Sequence, residues 1–178
     1  MTDTLAALYL KDVPEQFLKL KDLADRALAQ VREQDLFIVL DAESNSLAVL
    51  MQHVGGNLRS RFTAFLGSDG EKPDRNRDAE LEVAPGTTRL DLEARWETGW
   101  GALFVALAEL TEEDLTSTVL IRAEPHSVVR AIGRSLTHIA YHVGQIVFLA
   151  RHFAGASWQT LSIPRGGTRA FNERMFGR

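Results

Sequence analysis

Apolar residues return at steps of three and four in four separate stretches of the chain, and each stretch predicts an amphipathic helix. In the first, from residue 5 to about 32, Leu5, Leu8, Leu20, Leu23, Ala27 and Val31 lie among charges, and Pro14 is expected to break or kink the early part. After the acidic turn DAESNS, Ser44 or Asn45 is placed to cap a second helix, whose face carries Leu47, Leu50, Met51, Val54, Leu58 and Phe65 as far as about Leu66. Thr88 caps a third, through Leu92, Trp96, Trp100, Leu103 and Leu107 to Leu110. The most regular pattern runs from Ser127 to Phe153, through Val129, Ile132, Leu136, Ile139, Val143, Ile146 and Ala150.

The segments between them read differently. Residues 67–88 have the Gly, Pro and Asp content of a surface loop, at a length that also suits forming part of a site. The β-branched residues of TSTVLIRAEPHSVV predict a short β-hairpin before helix four. After Phe153, the residues Trp158, Leu161, Ile163, Phe171 and Phe176 stand among turn formers and predict an ordered tail that packs back. The sum is one all-α domain over residues 1–178, an antiparallel four-helix bundle, and such bundles build their sites from side chains on facing helices.

Composition narrows the chemistry. At 45% hydrophobic and 25% charged residues, 178 amino acids suffice for one domain with its own core, which excludes a mainly disordered chain. The absence of cysteine removes disulfides, thiolate nucleophiles and thiolate-ligated metals, so any ion must use His, Asp or Glu. The N-terminal residues form neither a secretory leader nor a membrane span, and a cytoplasmic location is expected. The net charge of −4 is unevenly spread: residues 126–178 hold seven Arg against the single Glu173, while the acids concentrate before them. This basic third is suited to an anionic small molecule or to pairing with the acidic remainder. Overall acidity and the lack of a nucleic-acid-binding motif argue against nucleic acid as a partner.

Helix four contains H-I-A-Y-H, and the spacing of His138 and His142 sets their imidazoles about 40° apart on one flank of the apolar seam. His53 occupies a comparable flank of helix two, in company with Asn57. Two histidines one turn apart and a third from a facing helix can offer three nitrogens about 2.1 Å from a zinc-like ion, with positions left open for water or substrate. The competing reading makes them satisfied core residues, since the bare spacing is a weak motif. His126 and His152 lack such partners and are assigned to the hairpin and the surface. Ile139 stands where a zinc protease needs its glutamate, and no Glu-x-x-His occurs, so HExxH and di-iron carboxylate chemistry are excluded. With no neighbouring carboxylate base evident, an ion here would lower the pKa of its own bound water or activate a thiol.

The segments MQHVGGNLRSRF (51–62) and LTHIAYHVGQIV (136–147) resemble the two metal-ligand helices of the DinB/YfiT-like superfamily, and RWETGW (95–100) and WQTLSIPRG (158–166) resemble a branch of it without a defined function. The resemblance spans nearly the whole chain. It implies an up-down-down-up bundle that often dimerises, with His53, His138 and His142 as ligands of a divalent ion, zinc or nickel. It further implies a metal-dependent transferase using a low-molecular-weight thiol such as bacillithiol or mycothiol, or a hydrolase. The alternative is a non-catalytic metal-binding stress-response or ligand-binding protein.

Further residues bear on substrate. Asn57 is placed to orient a ligand or bound water, and Gln145 to touch substrate or cap the pocket. Arg61, on the apolar side of helix two, requires a carboxylate partner or else holds an anionic substrate. Trp96 and Trp100 line either the cavity mouth or the core, and Arg165 either folds over the site or forms a tail salt bridge. The far side of helix four, Gly133, Thr137, Tyr141, Gly144 and Phe148, is small and apolar enough to predict a homodimer.

Overall fold

The structure, a computed structural model, describes residues 2–177. These form five α-helices and one two-stranded antiparallel sheet: α1 (Leu5–Leu28), α2 (Leu47–Phe62), α3 (Arg89–Ala108), β1 (Thr118–Ile121), β2 (Glu124–Ser127), α4 (Val128–Ala154) and α5 (Thr168–Phe176). The four long helices touch in a ring, α1 against α3 and α4, and α2 against those same two. Their seam is a single core that includes Phe17, Leu50, Met51, Leu58, Trp96, Trp100, Leu103, Ile132 and Ile139.

Local chemistry fixes the helix starts. The side chains of Thr4, Ser46, Thr88 and Ser127 each accept a hydrogen bond from a backbone N–H in the first turn, and Thr88 and Asp91 complete a reciprocal capping box. The closest helix contact, α2 on α3, depends on two glycines. A Cβ on Gly99 would stand 2.3 Å from the Gly55 carbonyl oxygen, and one on Gly55 would stand 2.6 Å from that of Arg95, so backbone meets backbone where any side chain would wedge the helices apart.

Several boundaries differ from expectation. Pro14 does not break α1, which runs through it but stops at Leu28. Ser46, rather than Ser44 or Asn45, caps α2, and that helix ends at Phe62 because Thr63 turns extended and Ala64 takes φ 47°. The hairpin forms, with Arg122 and Ala123 at its tip in the left-handed region (φ 57° and 60°). The Asp69 carboxylate compensates that strain, accepting from both N–H groups at 2.8 and 2.7 Å.

Residues 67–88 are more than a solvated connection. Ser60 on α2 donates to the Gly70 carbonyl (2.8 Å) and accepts from the Lys72 N–H (3.1 Å). Gln52 donates to the carbonyls of Glu80 and Glu82, and Gly70 N–H to Leu120 on β1. The loop, including its 3-10 turn Asp78–Glu80, is thereby laid along α2.

In the tail, Trp158 and Leu161 pack on the core, but α5 buries no residue, and Ile163 and Phe176 are exposed. Of the proposed dimer face, Thr137, Tyr141, Gly144 and Phe148 lie exposed on the single chain, so neither α1 nor the tail covers them. No described helix is long and apolar enough to cross a membrane.

Candidate functional site

His53 on α2 and His138 and His142 on α4 meet where these helices pack. His142 Nε2 lies 3.1 Å from His138 Nε2, which lies 3.4 Å from His53 Nε2, and one ligand atom from each ring falls within 4.8 Å of the other two. Tetrahedral ligands about 2.1 Å from a zinc ion stand about 3.4 Å apart, so the nitrogens are already near that spacing. The i, i+4 step brings the two α4 rings together, and α2 supplies the third from across the seam.

The outward nitrogens of two rings are committed elsewhere. His53 Nδ1–H donates to Glu80 Oε2 at 3.0 Å, and His142 Nδ1–H donates to Gln145 Oε1 at 2.8 Å. These partners set the tautomers, turning the Nε2 lone pairs of the neutral rings inward toward His138. A proton on His138 Nε2 can serve only one of two facing lone pairs, whereas a single cation would accept all three nitrogens. The donor set fits a divalent metal on that ground, including the outer hydrogen bonds that orient metal-ligating imidazoles.

Electrostatics favour unprotonated rings at the two α4 histidines. Burial first, then its two neighbouring histidines, push the His138 imidazole down from 6.5 to about 4. Burial also lowers His142, although its bond to Gln145 favours protonation. Glu80 is half-buried, but Arg75 grips both its oxygens at 2.8 Å and, with His53, outweighs desolvation to hold the carboxyl below its ordinary range. Glu80 sits against Gly56, where a Cβ would come within 2.3 Å of Oε1, so this glycine makes room for the carboxylate.

On one side the histidines open onto a cavity of about 580 Å³, lined by His53 and His138 with Asn57, Arg61, Ser135 and Tyr141. Asn57 and Arg61 therefore sit beside the cluster, as the sequence suggested. Arg61 is nevertheless structurally engaged, donating to the Gly70 carbonyl (2.6 Å) and pairing with Glu71 (3.1 Å). Gln145 faces His142 rather than the cavity lined by His53.

The remaining candidates lie away from the cavity. Trp96 and Trp100 are core residues, 2% and 0% exposed, and the Trp96 indole N–H donates to Asp25 on α1, so neither lines the cavity. Arg165 is exposed in the tail and does not line it either. His126 belongs to the hairpin but is buried, while His152 is exposed. The statement that no carboxylate neighbours the histidines is overturned by Glu80, which arrives from the loop. No sequence signal distinguishes Glu80 from the other acids of the segment, Asp69, Glu71, Asp74, Asp78 and Glu82.

No curated protein and no solved structure matches the chain. One family does: its model, described as a protein of unknown function (DUF1572), matches residues 4–167, and the chain belongs to that family.

Proposed function

We propose that His53, His138 and His142 bind one divalent ion, zinc or nickel, in a DinB-like, up-down-down-up four-helix bundle, and that the protein is a metal-dependent enzyme acting on a small molecule. The observation that carries this reading is the convergence of three Nε2 atoms beside an open cavity, two of them on rings whose outer nitrogens are tied to Glu80 and Gln145. An ion so held lowers the pKa of bound water or of a bound thiol, which suits hydrolysis or thiol-dependent S-transfer, with bacillithiol or mycothiol as the type of thiol. Glu80 and Gln145 orient the imidazoles, Arg75 keeps Glu80 ionised, and Asn57 is within the cavity to position substrate.

A non-catalytic metal-binding or ligand-binding role draws on a different observation. Among the described residues no Asp or Glu lines the cavity as a base, and the nearby Glu80 is committed to His53 and Arg75. Turnover of thiol and ester substrates separates the two roles. Metal analysis tests what they share: the purified chain should hold about one ion and His142→Ala should lose it with little change in melting temperature. A wild-type chain that takes up no divalent ion, or a variant that retains it fully, contradicts the proposal. The exposed face around Tyr141 and Phe148 is proposed to join two copies, which light scattering would report as a dimer.

A further inference from the structure

The cavity beside the histidines is cationic in a chain whose net charge is −4. Arg61, Arg77, Arg122 and Arg134 line it, and among the described residues no carboxylate does. These arginines divide by their partners. Arg61 and Arg122 both pair with Glu71, each at 3.1 Å. Arg77, in the loop just before Glu80, and Arg134, on α4 one turn before His138, are exposed and have no carboxylate partner among the described residues. The chain contains 24 Asp and Glu against 20 Lys and Arg, so acids are in supply, yet none neutralises this pair.

Two buried polar side chains add to the pattern. Asn57 and Ser135, 8% and 5% exposed, line the same cavity, and neither side chain hydrogen-bonds another described residue. Their polar ends are not sealed within the protein and so are open to a ligand or water in the cavity. The volume, about 580 Å³, is that of a small-molecule site rather than of a groove for a polymer. Like-charged guanidiniums around one concavity repel one another, and an anion between them relieves the repulsion while gaining charge-assisted hydrogen bonds.

We propose that this cavity takes a small anionic substrate, whose carboxylate or phosphate group is held by Arg77 and Arg134 while its remainder extends past Asn57 and Ser135 toward the imidazoles. The assignment of the reacting end rests on the metal-centre reading, but the grip on the anion does not. Arg77 and Arg134 are thus specificity-determining residues, contributed by the loop and by α4.

The test keeps the two readings apart by measuring anion binding on metal-free protein, both wild type stripped with a chelator and His142→Ala. Glutarate and inorganic phosphate are titrated calorimetrically at low ionic strength, with glutaramide as the uncharged control. At least one of the two anions should bind, the stronger identifying the headgroup, and glutaramide should not. Arg77→Gln and Arg134→Gln, stripped in the same way, should each weaken that binding about tenfold, and the double variant about 100-fold, with the melting temperature unchanged. Failure of both anions to bind, equal binding of glutaramide, or undiminished binding by the double variant overturns the proposal. Because the ion is absent throughout, none of these results depends on whether the histidines hold one.

Discussion

His142 and His53 are steadied in different ways. His142 uses Gln145, three residues along its own helix, whereas His53 uses Glu80, which lies 27 residues away in sequence and reaches α2 only because the loop is laid along it. The first support forms with the helix itself. The second requires Ser60 to hold Gly70 and Lys72, Gln52 to hold Glu80 and Glu82, and Arg75 to clamp the carboxylate. Half of the site is therefore built by helical geometry, and half by a polar loop that closes over it.

The largest effect should come from breaking the helix packing that carries His53. Gly99→Ala drives a Cβ into the Gly55 backbone, which no side-chain rotation relieves, and should cost about 1–3 kcal/mol or more in urea unfolding. The separation of α2 from α3 should disturb the loop support of His53 on α2 and leave the His142–Gln145 pair, which lies within α4, in place. A variant as stable as wild type would show that the helices do not need this close approach.

Breaking the loop half should be more selective. Glu80→Gln keeps an acceptor but loses the charge that pairs with Arg75, and metal affinity should fall about 10–100-fold in competition with a chelator dye. Gln145→Ala removes a neutral acceptor and should fall toward the lower end of that range. Equal losses in the two variants would erase the distinction between carboxylate and amide support.

A separate effect is one of pH on the metal-free chain. His138 titrates near 4 when folded and near 6.5 when unfolded, so the unfolded chain binds more protons between those values. Stability should be full above about pH 6.5 and decline as pH falls toward about 4, with no further loss from this group below that. His138→Gln should flatten the decline in urea titrations, and an unchanged slope would place its origin elsewhere.

The same division governs what could be read from sequence. The helical half was legible, because the spacing of His138 and His142 and the flank position of His53 follow from 3.6 residues per turn. Helix ends were less so. The true cap of α2, Ser46, competes with Ser44 and Asn45 for one role, and Pro14 is tolerated where a break was expected. The loop half was not legible, since no periodicity says which of Glu71, Asp74, Asp78 and Glu80 will reach His53. Trp96 and Trp100 repeat at helical spacing whether they face a cavity or the core, and only packing assigns them to the core. His126 looked peripheral, because a four-residue strand carries no signal of which face is covered.

X-ray absorption at the metal edge of the chain loaded with zinc bears most directly on the three-histidine centre. The account predicts three imidazole nitrogens about 2.1 Å from the ion, falling to two in His53→Ala. A wild-type spectrum with fewer than three imidazoles, or one unaltered by removing His53, would contradict it.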